Sequence, residues 1–213
     1  MVYASEQKRA GIVEYRERFK EKLKTIDKAK LVFLDESGVN LNLTRRYGRA
    51  QGKARVRDYT PLNIPKSTTL LSSIRTDGTM IHKEFTGALN GQYFVKYIKE
   101  QLVPSLHKDD IVIMDNLRTH KVNGVKQAIE SVGAKLIYLP PYSPDFNPIE
   151  MLWSKIKAIL RNWKARTPES LTSSISRAYK LISLSDISGG LTKWIICILN
   201  RNCSKFIIKN NYI

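Results

Sequence analysis

Two short runs of uninterrupted apolar residues, Leu31-Val32-Phe33-Leu34 and Ile111-Val112-Ile113-Met114, each lead straight into an acid, Asp35 and Asp115. Runs this short, rich in branched and aromatic side chains and without polar alternation, suit strands covered on both faces. Such a strand needs helices on each side of its sheet, which constrains the chain to an α/β layer architecture. In an open α/β sheet the carboxyl ends of neighbouring parallel strands face one crevice, where ligands bind. Asp35 and Asp115 therefore read in two ways, as ordinary turn caps or as two carboxylates brought to one site.

The remaining pattern fills in a mixed sheet. An amphipathic helix is expected over 6–27, with Ile12, Val13, Tyr15, Phe19, Leu23 and Ile26 at three- and four-residue steps. The first strand should stop at the turn residues Asp35-Glu36-Ser37-Gly38, with a second strand over 41–47. Thr76-Asp77-Gly78 marks a hairpin between strands at 68–75 and 80–85. Asn90 is placed to cap a helix over 91–103; a helix over 122–132 and a strand over 135–139 follow. Asn147-Pro148-Ile149-Glu150 opens a helix to about Trp163. Beyond Ser183 the pair Gly189-Gly190 interrupts the pattern and no clear periodicity remains.

Charge narrows the function. The 213 residues carry a formal net charge of +17, unevenly spread. Arg45, Arg46, Arg49, Lys53, Arg55 and Arg57 precede any acid until Asp58, and from Met151 onward eleven Lys/Arg face only Glu169 and Asp186. A solvated surface accounts for single cations; the ensemble points to a phosphate backbone, which arginine matches in geometry. The longest apolar run, Trp194–Leu199, is six residues and cannot span a bilayer, and the polar, basic N-terminus holds no secretory signal. Cys197 and Cys203 form no metal or disulfide pattern. A cytoplasmic protein with a polyanionic partner is expected.

Glu150 is a third acid of interest. The apolar stripe of its helix comprises Ile149, Leu152, Trp153, Ile156, Ile159, Leu160 and Trp163. Glu150 lies off that stripe, on the face of Ser154, Lys157, Arg161 and Lys164. It reads either as the N3 member of a capping box begun by Asn147, or as a functional carboxylate. Hard divalent cations take oxygen ligands from a few carboxylates, water and phosphate, and two such ions promote phosphodiester cleavage and transfer. Acids at element ends within a basic chain suit that chemistry.

Three motifs stand in order: Asp35-Glu36-Ser37-Gly38, then Ile113-Met114-Asp115-Asn116 with His120-Lys121, then the run Leu139-Pro-Pro-Tyr-Ser-Pro-Asp-Phe-Asn-Pro-Ile-Glu150 followed by Trp153 and Lys157. On these motifs the sequence resembles a DDE transposase of the mariner-like superfamily, in its bacterial insertion-sequence branch. The 34 residues between Asp115 and Glu150 match that branch, and the resemblance covers roughly 10–185. It implies a ribonuclease H-like fold, a mixed five-stranded sheet flanked by helices. Asp35 would lie on the first strand, Asp115 on the fourth and Glu150 on the helix after the fifth. It also implies catalytic and metal roles for these three residues with two Mg²⁺ or Mn²⁺ ions, hydrolysis at transposon ends, and strand transfer by the freed 3′-OH. Glu36 and Asn116 would shape the site. Arg45, Arg46, Arg49, Lys53, Arg55, Lys157 and Arg161 would bind double-stranded DNA, with a homodimer joining two ends in the nucleoid of a prokaryote.

The implied organisation is an N-terminal helix and linker at 1–28, a catalytic domain at 29–185 and an atypical tail at 186–213. Relatives normally carry an N-terminal helix-turn-helix region, which is not seen here, and the C-terminal pattern also departs from theirs. A remnant that binds DNA without cutting is the competing expectation.

Overall fold

The computed structural model describes residues 5–45, 47–64 and 66–199, so Arg46 lies outside the described residues. Helix α1 (Ala10–Lys24) precedes strands β1 (Leu31–Val39), β2 (Thr68–Arg75) and β3 (Met80–Thr86). Helix α2 (Gly91–Tyr97), extended by a π turn at Ile98–Leu102, leads to β4 (Ile111–Met114). Helix α3 (Val125–Glu130), β5 (Lys135–Tyr138), α4 (Ile149–Trp163), α5 (Pro168–Lys180) and α6 (Leu184–Leu199) complete the described residues. The sheet runs β3-β2-β1-β4-β5; the β1–β2 and β2–β3 pairs are antiparallel, whereas β1–β4 and β4–β5 are parallel.

Strand β1 explains the layering. Leu31 and Phe33 point to one face, where they meet Phe19 and Leu23 of α1 and the apolar sides of α4, α5 and α6. Val32 and Leu34 point to the other, against Phe94, Tyr97, Ile98 and Leu102, and Val125 and Ile129 of α3. Alternate burial on both faces is why the run has no polar position.

Four local expectations change. Strand β1 does not stop at Asp35: pairing with β2 continues through Asp35↔Ser72 to Val39↔Thr68, because partner hydrogen bonds outweigh the turn preference of the sequence. Residues 41–45 and 47 are not in a strand. The Arg166 guanidinium donates to the carbonyls of Leu41 (2.9 Å) and Leu43 (3.0 Å), so that backbone is satisfied outside any sheet. The face expected of α1 is narrower than its pattern suggests, since Phe19 and Leu23 are buried but Val13 and Tyr15 are exposed. Finally, the patternless stretch after Ser183 forms α6, which buries Ile187, Leu191, Trp194 and Ile198 in the main core. Trp194 meets Phe33 edge-on at 4.8 Å and donates from Nε1 to the Phe146 carbonyl at 2.7 Å.

Candidate active site

Asp35, Asp115 and Glu150 line one cavity of about 610 Å³, together with Glu36, Asn116, Asn147 and the segment Leu139–Pro144. Each reaches it for a separate reason. The parallel register ends at Leu34↔Met114, so Asp35 and Asp115 are the next residues along two adjacent strands. Asp35 is on the Phe33 side of β1, facing α4, and the buried Trp153 of that helix donates from Nε1 to Asp35 Oδ2 at 2.9 Å. Trp153, expected only to pack, therefore also orients a site carboxylate.

Glu150 is brought in by the first turn of α4. The capping box is not formed. Pro148 takes the cap position with no side-chain bond, and Asn147 Oδ1 is buried without a hydrogen-bond partner. Glu150 is only 6% exposed and borders the cavity rather than standing on a solvated face. The preceding segment is held from behind by α1. Arg16 makes a two-pronged ion pair with Asp145 (2.5 and 3.0 Å), donates to Ser143 Oγ at 2.5 Å and lies 4.1 Å over the Phe146 ring. Tyr142, which also lines the cavity, adopts a left-handed φ of 56°, uncommon for a non-glycine residue.

Burial pushes the Asp35 carboxyl well above its usual range, and repulsion from Glu150, Glu36 and Asp115 adds to the rise; only the Trp153 bond opposes it. The half-buried Lys157 sits in the same field. Burial lowers its pKa, Glu150 and Asp35 act to raise it, and Arg161 acts to lower it.

His120 was seen in the sequence only as part of a motif. It is completely buried, with Nε2 2.8 Å from Glu36 Oε2 and Nδ1 2.5 Å from Asp115 Oδ1. The carboxylates lie off the ring N–H directions, so these are charge contacts more than well-aligned hydrogen bonds. Burial alone would lower the His120 pKa, but the two carboxylates outweigh it and push it up to about 10.

The donor set is all oxygen. Among the described residues no three His, Cys, Asp or Glu side chains are arranged as a ready metal shell. Mg²⁺ does not require one, since it binds through one or two carboxylates and keeps water and phosphate oxygens. Crowded, desolvated carboxylates around an open cavity fit such an ion. Of the expected DNA contacts, Arg45, Arg49, Lys53 and Arg55 are exposed on the long β1–β2 connection, and Arg161 is half-buried on α4. Asp58 ties that connection to the end of α4 through Lys164 Nζ at 2.7 Å, and within the connection it accepts from the Thr44 hydroxyl. Arg45 itself donates to Asn162.

A mixed sheet in this strand order, with acids from β1, the end of β4 and the first turn of α4 meeting at one crevice, defines a ribonuclease H-like domain. The chain belongs to the DDE superfamily endonucleases, whose family model matches residues 30–172. No curated protein matches it. In structure it is similar to the Mos1 transposase paired-end complex with left transposon end (TM-score 0.74, 16% identity, 93% of this chain and 65% of that one). It is similar too to the Mos1 strand transfer complex (TM-score 0.68, 16% identity, 89% and 61%). The catalytic domain of Mos1 mariner transposase also matches (TM-score 0.67, 16% identity, 93% and 97%). The chain thus spans less than two thirds of the length of the Mos1 chains in those two complexes. Among the described residues no helix is long and apolar enough to cross a membrane.

Proposed function

We propose that this chain is the catalytic part of a transposase that hydrolyses phosphodiester bonds at transposon ends and transfers the freed 3′-OH strand into target DNA. The observation that carries this reading is the meeting of Asp35, Asp115 and Glu150, from three separate elements, at one cavity in a strongly basic chain. Asp35, Asp115 and Glu150 would hold two divalent ions, Mg²⁺ or Mn²⁺, which when bound activate the attacking oxygen and stabilise the leaving one. Mos1 complexes containing Mn and Mg support the same choice of ions here.

The chain's own residues do the positioning. Trp153 fixes one oxygen of Asp35, and the first turn of α4 presents Glu150 where the helix N-terminus favours a negative charge. Glu36 and Asn116 complete the wall beside Asp35 and Asp115. The exposed Arg45, Arg49, Lys53 and Arg55, with Arg46, grip the duplex backbone without reading bases, and Lys157 and Arg161 extend that surface along α4. Two such chains would act together, since two ends have to be joined. The 34-residue gap before Glu150 supports an insertion-sequence element and hence a prokaryotic, nucleoid-associated enzyme.

Nicking of supercoiled plasmid at low salt tests the reading. Wild type should nick only with Mg²⁺ or Mn²⁺, and Asp115→Asn should lose nicking by at least a hundredfold while still binding DNA. Equal nicking by the variant would refute the metal assignment. Binding without nicking by both proteins would favour the DNA-binding remnant.

A further inference from the structure

We propose that His120 is a positioning residue that ties Glu36 to Asp115 and so holds the open end of the β1–β4 pair in shape for a metal ion. This rests on the metal-dependent reading above. The β1–β4 ladder ends at Leu34↔Met114, so no bond within it fixes the residues beyond. His120 lies in a short helical turn, Arg118–Lys121, just after β4, and its two ring nitrogens lie 2.8 Å from Glu36 of β1 and 2.5 Å from Asp115, the residue after β4.

The ring has no room to swing away. It stacks on Phe94 of α2 at 4.4 Å between centroids, and the Tyr138 hydroxyl donates to the His120 carbonyl at 3.1 Å. Packing on Phe94 needs only an apolar ring; a buried imidazole with each nitrogen in charge contact with a carboxylate does more than pack. Glu36 and Asp35 alternate on β1 and so point to opposite faces. The end of the sheet is therefore gripped twice, by Trp153 on the Asp35 side and by His120 on the Glu36 side. Partners that orient ligating carboxylates change metal affinity or activity by about 10–100-fold when removed.

The test compares Mn²⁺ binding to the whole chain, followed by the electron paramagnetic resonance of the unbound ion, with the Mn²⁺ dependence of plasmid nicking. His120→Ala should weaken Mn²⁺ binding about tenfold or more. Its nicking curve should move to higher Mn²⁺ in step, with a much smaller loss in the saturated rate. His120→Gln, which still reaches one carboxylate, should fall between the two, and it carries the test alone if His120→Ala does not fold. Phe94→Leu removes the stacking but not the nitrogens, so it should lower the melting temperature and leave Mn²⁺ affinity within twofold of wild type. Wild-type Mn²⁺ affinity in His120→Gln would overturn the tether while leaving the transposase reading intact. A wild-type protein that neither binds Mn²⁺ nor nicks would overturn both.

Discussion

Asp35 carries the sharpest conflict between stability and function. It is buried beside three other acids, and the Trp153 indole is the one group acting to lower its raised pKa. A carboxyl whose folded pKa lies above its unfolded value of about 3.9 stabilises the fold only while protonated, and that contribution fades as pH rises through the folded value. In metal-free protein near neutral pH, Asp35→Asn should therefore raise the melting temperature, with the gain vanishing below about pH 4 where the wild type is also neutral. The same variant should not nick. A lower melting temperature for Asp35→Asn at pH 7 would contradict the crowding argument. Trp153→Phe keeps the ring and removes the donor. Losing a bond to a charged group costs about 1.5–3 kcal/mol, so nicking should slow roughly ten- to a hundredfold as the carboxylate loses its orientation.

At the scale of elements, the sheet depends on a buried clamp. Arg75 at the end of β2 donates to both oxygens of Asp110, just before β4, at 2.6 and 3.1 Å, and the Asp110 carboxylate also accepts from the His107 amide at 2.6 Å. Arg75→Met would leave Asp110, which is 0% exposed, without its counter-charge, at a cost of about 3–5 kcal/mol in urea unfolding. Burial would raise the Asp110 pKa, but Arg75 and the His107 amide outweigh it and hold it below the ordinary value. The stability this adds is present above about pH 4 and is lost as pH falls further, so the variant's deficit should shrink in acid. Sequence showed such elements unevenly. The apolar cores of β1 and β4 were legible because burial on both faces removes every polar residue. The full length of β1 was not, because it is set by pairing with β2 some thirty residues away. Asp35, Asp115 and Glu150 were legible as acids beside apolar runs. His120 and Trp153 were not, since their contacts cross between strands, helices and turns and leave no periodic trace. Helix α6 escaped notice because Gly189 and Gly190 argue against a helix, yet both lie within it, Gly190 beside Met151 of α4.

For the whole molecule the governing quantity is the +17 charge and how it divides between structure and ligand. Arg16, Arg75 and Arg166 are spent on Asp145, Asp110 and loop carbonyls inside the fold, so net charge alone overstates what is left for DNA. The exposed Arg49, Lys53 and Arg55 lie on a connection anchored at Asp58 and Arg166, which presents them to solvent. Replacing all three by glutamine should leave the melting temperature nearly unchanged while weakening DNA binding equally for all sequences. On a plot of log affinity against log salt, the slope should become shallower by about 0.9 for each phosphate that is no longer neutralised, so by nearly 3 if all three side chains engage the backbone. Arg166→Gln should behave in the opposite manner, lowering the melting temperature because the carbonyls of Leu41 and Leu43 lose their donor. A triple variant with an unchanged salt slope would move the DNA path off the β1–β2 connection and onto the Lys157–Arg161 face of α4, which charge reversal at Arg161 would then expose in the same plot.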